Sequence, residues 1–239
     1  MICQSDFYTG KMDYSKMLSD VAVKLHGIVM SEISTELAEI MHKKEYHPFS
    51  VFAVPHSDKL IIRVSILSED ANEVLGVFEN KKKFKIYGMD TPLVITGMNK
   101  KEPLNTADTS IFGKSGRCRI GFVTPAMYKS KGKMVCKPDL EKYFYSVVLK
   151  YNAFEDDAID FSLFSDALSE CEYQSYSFQS NTYHVSGLKI RGMTGYCDLK
   201  MPGDFQKREL LLRVFQYASY SGVGGKTGMG MGGFTVSPL

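Results

Sequence analysis

Apolar positions along this chain change their period several times, and each change marks an element. Val21, Val23 and Leu25 alternate within Met17 to Leu25, which predicts a strand, and Met30, Ile33, Leu37, Ile40 and Met41 then recur at helical spacing. Pro48 forces the chain out of the helix. Pro48 to Val54 and Lys59 to Leu67 are β-rich runs flanking the turn cluster Pro55-His56-Ser57-Asp58, so they read as a hairpin. Ser68 and Glu69 open a short helical segment toward Phe78, and Phe84 to Tyr87 resumes extended structure. The order is strand, helix, strand, strand, helix, strand.

The second half repeats that order. Cys118, Ile120 and Phe122 alternate in a strand over Arg117 to Val123, and Asp139 caps a helix carrying Leu140, Phe144, Val147, Val148 and Tyr151. Ser175 to Val185 and Leu188 to Leu199 form strands around Ser186-Gly187. Pro202-Gly203-Asp204 starts a last helix with Leu211, Leu212, Val214, Phe215 and Ala218 on its apolar side, and Phe234 to Val236 closes as a strand. The pattern predicts an α+β protein of two tandem ferredoxin-like (RRM-like) βαββαβ domains. They span 1–100 and 109–239 and join near Asn99 to Asp108, with a glycine-rich loop over 222–233 in the second.

Composition narrows the class without naming a function. The 239 residues are 44% apolar and 23% charged, ordinary for a globular chain, and no apolar run approaches the roughly 20 residues that span a bilayer. The N-terminus shows no basic segment leading into an apolar one, so a cytoplasmic protein without a membrane partner is expected. Cys3, Cys118, Cys136, Cys171 and Cys197 are odd in number and never spaced as C-x-x-C, which argues against zinc and against a disulfide framework. Neither a metal nor a cofactor is expected.

Charge is segregated behind a net value of +2. Between Lys114 and Lys150 nine basic residues face two acidic ones, whereas Glu155 to Glu172 holds seven acids and no base. The acidic run reads as a solvated helix face. The basic stretch includes Arg117, Arg119, Lys129, Lys131 and Lys133 and is interleaved with Phe122, Tyr128, Tyr143, Phe144 and Tyr145, a composition that suits a polyanion-binding surface.

The sharpest local signal is the loop, with seven glycines in the twelve residues from Gly222 to Gly233. Such a backbone can approach another chain closely and turn N–H groups toward an anion. Gly225-Lys226-Thr227 matches the end of a nucleotide-binding P-loop, but Tyr220 stands where the first glycine belongs, and a helix precedes the loop where a strand should. Dinucleotide spacing fails as well, because Gly222 and Gly224 are followed by Thr227. A flexible tail is the bland alternative, against which Phe234-Thr235-Val236 looks like a strand returning to a core.

Ala218-Ser219-Tyr220-Ser221-Gly222-Val223-Gly224 followed by Lys226-Thr227-Gly228-Met229-Gly230 resembles the C-terminal signature of the sixth Cas family, CRISPR-associated endoribonucleases of the RAMP superfamily. Ala38-Glu39-Ile40-Met41-His42 before Pro48-Phe49-Ser50, then Gly121-Phe122-Val123-Thr124-Pro125, then Gly192-Met193-Thr194-Gly195-Tyr196, agree in order along nearly the whole chain. The resemblance implies a tandem ferredoxin-like fold that binds repeat RNA in precursor CRISPR transcripts. It also implies metal-independent cleavage leaving a 2′,3′-cyclic phosphate and a 5′-hydroxyl. Gly222, Gly224, Gly225, Lys226, Thr227, Gly228 and Gly230 would then lie near the RNA backbone, and a catalytic histidine would end the first helix.

RNA supplies its own nucleophile, so the protein needs a base, an acid and positive charge. Of His26, His42, His47, His56 and His184, His42 ends the apolar face of the first helix, beside Lys43 and Lys44, where by itself it reads as a solvated helix-end histidine; the resemblance, which implies a catalytic histidine at that position, makes it the leading candidate. His47, just before Pro48, competes with it, and Tyr46 and Lys43 could lend a proton or a charge. Some relatives carry a tyrosine in the first half of that helix where this chain reads His26-Gly27-Ile28, which leaves the partner of His42 open and makes His26 a further candidate. His56 and His184 read as structural. The competing function is a non-catalytic RNA-binding subunit of a CRISPR effector complex on the same fold. A homodimer stays open.

Overall fold

The computed structural model describes residues 2–11, 18–43, 46–106, 108–112, 116–185 and 187–239, without the side chains of 18–20, 42, 43 and 111. Two compact units divide it: Met1–Leu104 with Tyr183–Ile190 and Lys226–Gly230, and Asn105–Thr182 with Arg191–Gly225 and Met231–Leu239. The second unit thus begins a few residues past the last strand of the first sheet.

The first unit runs β1 (Cys3–Thr9), α1 (Leu18–Glu32), α2 (Thr35–Lys43), β2 (Phe49–His56), β3 (Lys59–Ile66), α3 (Asn72–Asn80), β4 (Lys83–Phe84) and β5 (Leu93–Lys100). Its sheet has the order β2-β3-β1-β5-β4, antiparallel throughout, which is the ferredoxin-like order with one short strand added at the edge. Val21, Leu25, Val29, Leu37 and Met41 from the helices close over Phe7, Val51, Ile62 and Val64 from the sheet.

Three predicted boundaries are corrected here. The stretch from Leu18 to Leu25 is helical, because Val21, Ala22, Leu25 and Val29 are the residues that bury while Val23 stays half-buried, and Met17 lies outside the described residues. The first strand is Cys3–Thr9 instead. The apolar stripe from Met30 to Met41 is divided between two helices, because Ser34 starts α2 by accepting the Leu37 N–H on its Oγ (3.3 Å) while its own N–H donates to Glu73 (2.8 Å). Of Phe84 to Tyr87 only Phe84 is in a strand, and β5 fills the fourth position of the sheet, so Asn99 and Lys100 belong to it and not to a linker.

The second unit runs β6 (Arg117–Ala126), a small hairpin of β7 (Tyr128–Ser130) and β8 (Lys133–Val135), α4 (Leu140–Phe154), α5 (Phe161–Ser169), β9 (Glu172–Val185), β10 (Leu188–Lys200), α6 (Phe205–Ser221) and β11 (Phe234–Pro238). Its sheet order β11-β6-β10-β9 is again ferredoxin-like. Asp139 and Asp204 cap α4 and α6, accepting N–H groups of Lys142 (3.2 Å) and Lys207 (2.8 Å). Each sheet also holds one bidentate Arg–Asp pair across its central strands: Arg63 to Asp6 in the first, Arg119 to Asp198 in the second.

The acidic run is not one helix face. Asp160 caps α5, Asp157 pairs with Arg213 and accepts from Tyr151, Glu170 pairs with Lys207 and Glu172 with Lys200. Three of its acids, Asp157, Glu170 and Glu172, tie the run to later elements, and all but Glu155 remain exposed to solvent. The flexible-tail reading of the glycine-rich loop also falls, since Gly222, Val223, Gly224, Thr227, Gly228 and Gly230 to Gly233 are all buried.

Candidate active site

Within the first unit the segment Lys226–Gly230 folds onto α1 and β2. Thr227–Met229 is a single 3₁₀ turn, entered through Lys226 at φ 62° and left through Gly230 at φ 92°. Both values lie in the left-handed region, and the lysine adopts it without a glycine's freedom. At Gly230 a Cβ would fall 2.3 Å from Ala22 Cβ and 2.3 Å from Tyr183 Oη, so only glycine lets the turn reach α1. Tyr183, near the tip of the β9–β10 hairpin, donates its O–H to the Met229 carbonyl at 2.8 Å and fixes the turn from the other side.

Beneath the turn lie three rings. His26 projects from α1 beside the buried Leu25, and Pro48 turns the chain so that His47 precedes β2 and Phe49 opens it. The rings of His26 and Phe49 stack at 6.0 Å and 17°, and His47 stands edge-on to both, 6.1 Å from His26 and 5.9 Å from Phe49. Phe49 is fully buried, both histidines are half-buried, and the Nδ1 atom of each is sealed from solvent. Gly228 closes the group: a Cβ there would meet Phe49 at 3.6 Å and His26 Nδ1 at 3.8 Å, ordinary van der Waals contact. Two imidazoles, a backbone turn and the lysine that enters it therefore share one place in one unit.

His42 and Lys43 occupy the last turn of α2, with side chains outside the described residues, as is all of Lys44. Tyr46 is half-buried in the connection to β2, next to His47. His56 and His184 are exposed, at the end of β2 and in β9.

The remaining loop residues belong to the second unit and are held internally. Gly222 ends α6 at φ 68° with its N–H on the Ala218 carbonyl (2.8 Å), Gly224 N–H donates to Ser146 Oγ (2.8 Å) and Gly225 N–H to the Met127 carbonyl (2.9 Å). These N–H groups point into the protein, not toward an anion. Lys129, Lys131 and Lys133 project from the β7–β8 hairpin and are exposed, as is Arg117. Arg119 is committed locally: it binds Asp198 at 2.6 and 2.8 Å and lies 4.2 Å over the Tyr196 ring. Hydrogen bonds from Arg119 and then Ser175 pull the Asp198 carboxyl down to about 2. Among the described residues no group of three or more His, Cys, Asp or Glu side chains is placed to hold a metal ion.

Sequence reading did not find Phe49 or Tyr183 as members of this site. Phe49 stands directly after His47-Pro48 in a β-rich run and reads only as a strand residue; Tyr183 is one aromatic among several in a strand, and nothing local marks it.

Comparison with known proteins finds similar proteins over most of the chain. The family model described as CRISPR-associated endoribonuclease Cas6 matches residues 120–234. The CRISPR-associated endoribonuclease Cas6 of Mycobacterium tuberculosis (strain CDC 1551 / Oshkosh) is 24% identical over 223 residues, covering 90% of this chain and 71% of that protein. The protein of the same name from Streptococcus thermophilus is 24% identical over 241 residues, with 91% of each chain covered. Among solved structures, a Cas6 product complex superposes with a TM-score of 0.75 at 18% identity, over 100% of this chain and 99% of that one. Thermus thermophilus Cas6 gives 0.71 at 18% identity, over 99% and 98%. The structural likenesses establish the tandem ferredoxin-like fold.

Proposed function

We propose that this chain is a Cas6-type CRISPR-associated endoribonuclease that binds repeat RNA in precursor CRISPR transcripts and cuts it by internal transesterification, a reading supported by the family match over residues 120–234 and by the relatives that span most of the chain. The observation that carries the mechanism is the seating of Gly228 over His26, with His47 edge-on beside it. In the proposed step one imidazole takes the proton of the ribose 2′-OH as that oxygen attacks the adjacent phosphorus. The P–O5′ bond breaks, and the other ring, as imidazolium, protonates the departing 5′ oxygen. The products are a 2′,3′-cyclic phosphate and a 5′-hydroxyl; no water is consumed and the protons balance. Lys226 contributes an ammonium at the turn where the phosphate's charge grows. His42 closes the helix that leads into His47 and is the third histidine of this reading.

Both groups assigned to proton transfer here are imidazoles, a side chain that can give or take a proton without a metal, which supports chemistry without one. The repeat RNA is the partner that this reading requires. Retention of the processed RNA within an effector complex would follow cleavage and not replace it.

Single-turnover cleavage of cognate repeat RNA at saturating protein tests the assignment. His26→Ala and His47→Ala are each expected to slow cleavage by roughly 10² to 10⁴ fold, with the Kd for the repeat within a few-fold of wild type. His42→Ala, measured alongside, reports whether the helix end takes part. Near-wild-type rates in both His26→Ala and His47→Ala would remove the pair from the mechanism.

A further inference from the structure

The second unit carries an aromatic and basic surface apart from the residues to which cleavage is assigned above. β9 is the edge strand of its sheet, and from Tyr173 to Thr182 it holds no charged side chain and is almost wholly exposed. Exposed edges are ordinarily guarded by lysine, proline or inward-pointing charge, and this run has none of them. Tyr176, 68% exposed, stacks on Phe178 with ring centroids 5.9 Å apart and planes 20° from parallel. Phe178 is half-buried and meets the core ring of Phe122 at 6.0 Å, so the core itself backs the exposed tyrosine.

The β7–β8 hairpin reaches the same strand. Tyr128 anchors its root, buried and edge-on to Tyr143 at 5.1 Å, and beyond its end Cys136 Sγ lies 3.9 Å from Ser180 Oγ. Ser180 shares a strand face with Tyr176 and Phe178 by the two-residue period. Lys129, Lys131, Lys133 and Lys137 are exposed, and no acidic residue occurs between Met127 and Pro138.

We propose that the Tyr176–Phe178 stack and the lysines of the β7–β8 hairpin form a platform for single-stranded RNA, taking unpaired nucleotides that flank the segment to be cut. A base stacks on the exposed face of Tyr176 while its phosphates run along the lysines, the combination of plate and charge that binds single strands with little regard to sequence. The amide and hydroxyl side chains of Gln174, Gln179 and Asn181 suit base edges and 2′-hydroxyls. A protein strand paired along this edge would leave the lysines without a counterpart, so charge complementarity favours a polyanion. The proposal rests on RNA being the partner, not on how the RNA is cut.

Fluorescence anisotropy with labelled repeat RNA, prepared with and without a single-stranded flank, tests it, with light scattering on each variant. Tyr176→Ala is expected to weaken binding of the flanked RNA about tenfold and of the unflanked RNA far less, while Tyr176→Phe, which keeps the plate, binds as wild type. The triple variant Lys129→Ala, Lys131→Ala, Lys133→Ala is expected to lower the slope of log K against log salt by about 2, three phosphate contacts on a single strand. An unchanged affinity of Tyr176→Ala for the flanked RNA overturns the proposal, and a change in molecular mass with unchanged affinity would overturn it by assigning the surface to a second copy of the chain. Failure of this proposal is distinct from failure of the cleavage mechanism. RNA that is cut while Tyr176→Ala binds normally sinks only the platform, and RNA held through Tyr176 but left uncut sinks only the mechanism.

Discussion

Lys150 lies on the apolar side of α4, fully enclosed, with its Nζ donating to the Ser221 carbonyl at 3.1 Å where α6 gives way to the loop. Burial pushes the amine down to about 7 from the ordinary lysine range. An unfolded chain holds that proton up to about pH 10.5, so between pH 7 and 10.5 the unfolded state binds more protons and stability rises with pH. The opposite trend starts near pH 9, because burial pushes the thiols of Cys118, Cys171 and Cys197 up to about 12 and the unfolded state then loses protons first. The expected result is a stability maximum near pH 8 to 9, with a rise of roughly 1–2 kcal/mol from pH 7. Lys150→Met should remove the rise and keep the fall, as read from urea denaturation at several pH values; an unchanged rise would place its origin elsewhere. None of this is visible in the sequence, where Lys150 is one of nine bases in a positive stretch and nothing shows that its head is enclosed.

Elements differ in how plainly the sequence announces them. The helix capped by Asp139 and the one capped by Asp204 were legible because a capping acceptor and a helical apolar stripe coincide in each. β1 was not, because four of its seven residues, Gln4, Ser5, Asp6 and Thr9, are polar and buried. Three of the four are held by specific bonds: Gln4 to Ser65, Asp6 to Arg63, and Thr9 Oγ1 accepting the Leu60 N–H at 2.8 Å. A central strand built this way has no hydropathy signature. The site divided in the same manner. The glycine-rich loop and the histidines stood out by type, but their meeting depends on Gly230 fitting against Ala22 and on Tyr183 holding Met229, contacts between residues far apart in the chain. Tyr183→Phe removes one hydrogen bond, worth about 1 kcal/mol, and should lower the unfolding midpoint by only about 2–4 °C while slowing single-turnover cleavage by roughly fivefold if that energy is also lost in the transition state. A normal cleavage rate in that variant would show that the turn holds its place without the hairpin.

At the scale of the molecule, two ferredoxin-like units carry different surfaces. The first holds two imidazoles beneath a glycine turn; the second presents lysines and exposed aromatic rings. The tandem fold was readable from the repeated order of strands and helices, and the basic stretch from charge alone. The partition of one loop between two units was not, because it depends on the end of the chain folding back onto elements laid down two hundred residues earlier. The central claim is that the RNA's own 2′-oxygen attacks. Its most direct test replaces the single ribose 5′ to the scissile phosphate of the repeat with deoxyribose and measures cleavage and affinity together. No cutting at that site, with binding retained so that the modified RNA inhibits processing of the natural repeat, is the predicted result; cutting at the same site and rate would contradict the mechanism, whatever the histidine variants show.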